Sequence, residues 1–277
     1  MATPFDRGNV SAVGQGTWRM EQDDRAEAIR AIQRGLDLGL THLDTAEMYG
    51  GGAAEELLGE AIAGRRAEVF LVSKVLPSNA TREGTVRACE RSLRRLGTDY
   101  LDGYLLHWRE DTPLEETFAG FDDLMRRGLI RSWGVSNFDE RDIDDAIALV
   151  GRNVIACNQV YLSLTERHAE ATVLPWCRRY GIPIVAYSPL GAGSFPSPRG
   201  PGGRVLQQIA NLYEVSPRAV ALAFLTRHDD VFAIPKAAKV AHVEENARAL
   251  ELHLGPEEIA AIDAAFPIRT QTHLPVL

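Results

Sequence analysis

The sequence predicts a (β/α)8 TIM barrel, closed at its bottom by an N-terminal β-hairpin, and three observations predict it. Short apolar runs alternate with amphipathic stretches along all 277 residues. Alternation of that kind gives a parallel sheet covered by helices. Eight such units in roughly 250 residues match the size of a closed barrel. The rival fold, a doubly wound open sheet, carries a glycine-rich phosphate turn after its first strand. Here Gly14-Gln15-Gly16-Thr17-Trp18-Arg19 lacks the third glycine, and Gly191-Ala192-Gly193 continues into Ser-Phe-Pro. No repeat or low-complexity linker divides the chain, so residues 1–277 read as a single domain.

Taken in order, the stretch 5–13, FDRGNVSAV, reads as the hairpin, turning at Asp6-Arg7-Gly8. Strands are expected at 12–16, 40–44, 69–73, 101–106, 130–135, 154–159, 183–187 and 231–234. An amphipathic helix fills each gap. The helix before residue 40 has Asp23-Asp24 as a cap, Ile29, Ile32 and Leu36 on one face, and a stop at Gly39. Residues 191–203, GAGSFPSPRGPGG, form the one irregular stretch; a loop of that length is often a lid or binding loop.

Bulk properties narrow the function. A net charge of -8 and a pI near 5.4 argue against nucleic acid as a partner. No run approaches the ~20 apolar residues of a membrane span, and MATPFDRGNV has no basic start and apolar core of a secretory signal. Three cysteines, Cys89, Cys157 and Cys177, form no paired motif, which fits a reduced, cytoplasmic setting. Cys89 falls in phase with Val86, Leu93 and Leu96 and reads as core.

Barrels of this kind carry their chemistry at the C-terminal ends of the strands. Those ends read Trp18, Asp44, Lys74, His107, Ser136-Asn137, Gln159, Tyr187-Ser188 and Pro235-Lys236. One polar strand end is commonplace; eight in succession are not. Asp44, Lys74 and His107 close neighbouring strands, which lie roughly 4.8 Å apart, so Asp44 and Lys74 can pair. Tyr49 follows Asp44 by five residues. An ammonium beside a phenol favours the phenolate, so Lys74 is expected to lower the Tyr49 pKa, with Asp44 keeping Lys74 charged and aimed. A phenol tuned in that way is a general acid for an oxygen becoming an alkoxide, as in carbonyl reduction.

Competing chemistries lack their motifs. There is no H-E-x-x-H, no paired cysteine spacing, no G-x-S-x-G and no Walker loop, so no metal is expected. A nicotinamide cofactor is then the natural hydride donor.

These residues resemble the aldo-keto reductase superfamily. The resemblance rests on GLTHLD at 39–44 with Tyr49, Lys74 in VSKV, His107 in YLLHW, GVSNF at 134–138, Gln159 in NQV, AYSPLG at 186–191 and IPK at 234–236. The motifs run in family order from about Gly14 to Asn246. GTWRM and DTAEMYGGG are most similar to bacterial reductases of small aldehydes and dicarbonyls such as methylglyoxal. The resemblance implies a reductase of small carbonyl substrates using NADPH, with NADH second. Its tetrad would be Asp44, Tyr49, Lys74 and His107: Tyr49 the acid, Lys74 its partner, Asp44 the anchor and His107 the group orienting the carbonyl.

By the same matching Ser136, Asn137 and Gln159 hold the carboxamide, and Tyr187 stacks on the nicotinamide. Ser188, Pro189, Leu190 and Gly191 line the pyrophosphate. Lys236, Glu245 and Asn246 contact the adenosine end, and Gly16, Thr17, Trp18, Asp44, Ile234, Pro235, Ala237 and His242 are further cofactor-binding positions. Trp18 and Trp108 join Tyr49 and His107 around the substrate.

Two departures stand out. The commoner pattern has Ser after the Lys of IPK and Arg six residues beyond that Lys; this chain has Ala237 and His242. A His grips a 2′-phosphate less firmly than an always-charged Arg. The tail after Asp263 is short, which predicts an open, permissive pocket. A monomer is expected, with a homo-oligomer as the second possibility. The rival functional reading is a regulatory subunit of the same fold that binds cofactor with little turnover. A metal hydrolase on a barrel is a third, disfavoured by the scattered histidines.

Overall fold

The computed structural model describes residues 5–8, 10–269 and 271–277. Eight strands form one sheet in chain order, every neighbouring pair parallel. They are β1 (Gln15–Gly16), β2 (His42–Asp44), β3 (Phe70–Val75), β4 (Gly103–Leu106), β5 (Trp133–Ser136), β6 (Asn158–Tyr161), β7 (Ile184–Tyr187) and β8 (Val231–Ile234). Bridges Val13 to Ala233 and Gly16 to Lys236 join the first edge to the last and close the barrel. Strand β1 is two residues long, and the glycines in and before it lie close against neighbouring backbone. A Cβ on Gly14 would lie 2.3 Å from the His42 carbonyl oxygen, so only glycine fits there.

The outer layer holds α1 (Arg25–Asp37), α2 (Ala53–Ala61), α3 (Arg82–Leu96), α4 (Leu114–Arg126) and α5 (Glu140–Val150). It continues with α6 (His168–Ala171), α7 (Val173–Tyr180), α8 (Pro201–Tyr213), α9 (Pro217–Leu225), α10 (Val240–Ala247) and α11 (Pro256–Ala265). Side-chain caps fix several starts. Asp24 accepts from the Glu27 N–H, Thr81 from Gly84, and Asp139 forms a capping box with Asp142. Of the two aspartates expected to cap α1, only Asp24 does so. Cys89, Leu93 and Leu96 are buried on α3 as their spacing predicts, and all three cysteines are free.

The irregular stretch expected at 191–203 ends earlier than its composition suggests. Helix α8 starts at Pro201, whose fixed φ suits the first helical position, so Gly202 and Gly203 are helical.

At the barrel's N-terminal end Phe5 and Val10 join a buried cluster with Val72, Leu105, Ala156, Cys157, Val185, Phe232 and Ile234. Phe5 meets Phe70 edge-on at 4.8 Å between centroids. The Arg7 guanidinium donates to the carbonyls of Thr226, His228, Asp229 and Val231 and lies 4.9 Å over Phe232. The expected hairpin is not present among the described residues: 5–8 and 10–13 make a turn and a single bridge at Val13. Asn9, which the hairpin reading also spans, lies outside them.

Candidate active site

Because β2, β3 and β4 are neighbours, the side chains leaving their C-terminal ends converge. Lys74 is fully buried and its ammonium has three partners. It donates to Asp44 Oδ1 at 2.5 Å, to the Thr45 carbonyl at 2.8 Å and to the Tyr49 hydroxyl at 3.3 Å. Three N–H bonds find three oxygens, so the cation is held without a spare donor. The other Asp44 oxygen accepts from Gln159 Nε2 at 2.7 Å. Charge pairing thus offsets the cost of burying both ions.

Tyr49 starts the turn Tyr49–Gly52, in which Gly50, Gly51 and Gly52 have φ of 57°, 64° and 103°. Three consecutive left-handed residues demand glycine, and they bend the chain so that the phenol returns over β3. The His107 ring lies edge-on to Tyr49 at 5.8 Å, and Trp108 lies 4.9 Å beyond His107.

The electrostatics correct one expectation. Burial pushes the Tyr49 phenol above its ordinary value of 10.0; Lys74 pulls it down, but Asp44 opposes that pull. Tyr49 is therefore a fully protonated phenol at neutral pH rather than one shifted down toward it. Burial works against the Lys74 charge, yet Asp44 and Tyr49 outweigh it and raise the Lys74 pKa. Burial pushes the Asp44 carboxyl up while Lys74 and Gln159 pull it down; the two charge-assisted bonds keep the pair ionic. Burial, reinforced by Lys74, drives His107 down to about 2, so its imidazole is neutral. His107 Nδ1 is buried without a hydrogen-bond partner.

A cavity of about 720 Å³, counting its open mouth, sits above this cluster. Of the residues singled out from the sequence, it is lined by Gly16, Thr17, Trp18, Asp44, Tyr49, His107, Trp108, Ser136, Asn137, Gln159, Tyr187, Ser188, Ile234 and Lys236. Lys74 lies beneath the floor. Pro189, Leu190, Gly191, Pro235, Ala237, His242, Glu245 and Asn246 are outside it, on the turn after β7, just after β8 and within α10. Met48, Val276 and Leu277 also line the cavity and were not foreseen.

The last two overturn the expected open pocket. The tail returns across the barrel mouth: the Gln271 N–H donates to His168 Nδ1 at 2.9 Å, and the Leu277 N–H to the Tyr187 hydroxyl at 3.3 Å. That hydroxyl donates in turn to Asn137 Oδ1 at 2.9 Å. Asn137 Nδ2 donates to the His107 carbonyl at 3.1 Å, tying β5 to β4. Gln159, expected at a carboxamide, has its NH2 committed to Asp44.

Residues of α10 and the segment before it fit a nucleotide's adenosine end. Asn246 is 3% exposed and its Oδ1 has no hydrogen-bond partner, and Glu245 Oε2 accepts no hydrogen bond although Arg218 stands 3.6 Å away. Buried acceptors without donors are rare and expensive. No side chain caps the start of α10; the His242 N–H donates to the Lys239 carbonyl, which leaves the N–H groups of Val240 and Ala241 for an anion. Lys236 stands beside them, paired with Asp23 across the mouth of the barrel.

A closed eight-stranded barrel with this cluster at its C-terminal face defines an oxidoreductase acting on carbonyls, and the chain belongs to the Aldo/keto reductase family, whose model matches residues 12–266. Among its relatives, methylglyoxal reductase YeaE of Escherichia coli (strain K12) is 47% identical over 94% of this chain and 93% of that protein. Methylglyoxal reductase DkgB of Escherichia coli O157:H7 is 30% identical over 92% of each. A crystal structure of an aldo-keto reductase from Klebsiella pneumoniae in complex with NADPH superposes with a TM-score of 0.92 at 42% identity, covering 100% of this chain and 99% of that one.

Proposed function

We propose that the protein reduces small aldehydes and dicarbonyls of the methylglyoxal type to alcohols with NADPH. Asp44, Tyr49, Lys74 and His107 are its working groups. The observation that carries this reading is the ligation of one buried ammonium by Asp44, Thr45 and Tyr49 directly beneath a cavity. The 42% identical Klebsiella pneumoniae protein that binds NADPH supports the cofactor, and the methylglyoxal reductases support the substrate class.

Bound reduced nicotinamide supplies a hydride to the carbonyl carbon. The chain's own groups handle the oxygen. The Tyr49 hydroxyl donates a hydrogen bond to the carbonyl oxygen and passes its proton as negative charge builds there. The tyrosinate left behind lies against the Lys74 ammonium, whose charge Asp44 maintains. A neutral His107 donates a second hydrogen bond, which a low pKa permits without a competing cation. General acid catalysis of this sort contributes ~10²–10⁴ in rate. Trp18, Trp108, Met48 and Val276 keep water from the reacting carbon, and solvent returns a proton to Tyr49 after product leaves.

For the cofactor, Ser136, Asn137 and the Gln159 carbonyl are suited to a carboxamide, and Tyr187 to the nicotinamide face. The turn 188–191 is suited to the pyrophosphate, and Lys236, Glu245 and Asn246 to the adenosine. We read the whole chain as a single domain, with Phe5 and Val10 packed against the barrel bottom, working in the cytoplasm. Three free, buried cysteines support that compartment. The direct test is consumption of NADPH against methylglyoxal, aromatic aldehydes and sugars, repeated with NADH. Turnover of methylglyoxal with NADPH is expected; NADPH binding without turnover of any carbonyl would favour a regulatory subunit instead.

A further inference from the structure

His242 stands where an arginine would serve the 2′-phosphate, yet a guanidinium reaches the same face from another helix. Arg218 lies in the first turn of α9, which packs against α10. Its Nη1 is 3.6 Å from Glu245 Oε2, beyond hydrogen-bonding range, and its Cζ is 5.6 Å from the Phe195 ring centroid. Glu245 is three residues on from His242, so the two side chains occupy adjacent positions on one helix face. Arg218 donates no hydrogen bond to any described residue, and its side chain is 44% exposed. It is thus a charged, pre-aimed fork with its donors unspent. On the helix that carries its ion-pair partner Glu245, Asn246 Oδ1 is buried with no hydrogen bond, and no side chain caps the helix start.

We infer that Arg218 is the cofactor-specificity residue of this enzyme, binding the 2′-phosphate of NADPH from α9 in place of an arginine at position 242. The inference rests on the NADPH reading above. Lys236 is a weaker candidate for that task, because Asp23 already holds its ammonium. A guanidinium suits a phosphate better, since its planar fork can present two parallel donors. Glu245 then serves as a loose tether that orients the guanidinium without saturating it, and Phe195 limits its swing.

The test is titration calorimetry of NADPH and of NADH on wild type, Arg218→Gln, and Arg218→Gln combined with His242→Arg. Wild type is expected to prefer NADPH. Arg218→Gln should weaken NADPH about tenfold, the size of one charge-assisted hydrogen bond, and leave NADH binding unchanged. The second substitution should restore NADPH affinity by returning an arginine to the same face. The NADPH preference should also fall with added salt, less steeply in Arg218→Gln. Wild type that binds neither cofactor would sink the cofactor reading itself. Wild type that binds NADPH while Arg218→Gln is unchanged, or weakened equally for both cofactors, would overturn the role of Arg218 alone.

Discussion

Replacing Lys74 with Met keeps the length of the side chain and removes one buried charge. Three oxygens lose their donor: Asp44 Oδ1, the Thr45 carbonyl and the Tyr49 hydroxyl. Asp44 is 1% exposed and keeps only the Gln159 amide. Breaking a buried pair on one side typically costs about 3–5 kcal/mol. For a chain of this size that corresponds to a fall in Tm of about 5–9 °C. The loss should shrink on acidification. Burial raises the Asp44 pKa, and with Lys74 gone nothing cationic opposes it, so the folded state binds the proton more tightly than the unfolded chain and gains stability as pH falls. Activity should fail for a separate reason, because the tyrosinate forms with no cation beside it.

Thermal unfolding and carbonyl-dependent NADPH oxidation read the two effects independently. Adding Asp44→Asn to Lys74→Met removes the stranded charge, so it should recover most of the lost Tm while activity stays absent. If Lys74→Met kept wild-type turnover, or if the double variant regained it, the role given to Lys74 would be wrong. A Lys74→Met variant as stable as wild type would show that Asp44 is not ionic in the folded protein.

Two further outcomes are expected. Because burial holds Tyr49 above 10.0 and reduction uses its protonated form, the reductive kcat should stay level through neutral pH and fall only in strongly alkaline solution. Alcohol oxidation, which needs the tyrosinate, should rise with pH. With His107 near 2, neither profile should bend near 6.5, and an inflection there would contradict the neutral imidazole. Replacing both Val276 and Leu277 with Ala should raise KM for small aldehydes and admit bulkier ones, as measured across an aldehyde series; an unchanged substrate profile would mean the tail is no wall.

Much of this architecture was legible in the sequence because the signals are local. Eight apolar runs mark eight strands, and Pro/Gly punctuation marks most helix ends. Barrel topology then places Asp44, Lys74 and His107 side by side, since consecutive parallel strands are neighbours. Contributions from distant segments were not legible. The tail reaches Tyr187 from 90 residues away, and nothing local to 271–277 announces it. Asp23 read as a helix cap and instead holds Lys236. Arg218 sits in an unremarkable helix start, and only the packing of α9 on α10 brings it to Glu245. The Tyr49 pKa failed for a related reason: proximity to Lys74 was readable, but the opposing weight of burial and of Asp44 depends on three-dimensional surroundings.

In the proposed reaction Tyr49 delivers the proton while Lys74 supports the charge left behind. Single-turnover reduction of methylglyoxal by NADPH-loaded wild type and Tyr49→Phe tests it most directly, with NADPH affinity measured alongside. The single-turnover rate of Tyr49→Phe should fall by ~10²–10⁴, with NADPH binding unchanged. A Tyr49→Phe enzyme that oxidises its bound NADPH at the wild-type rate would contradict it.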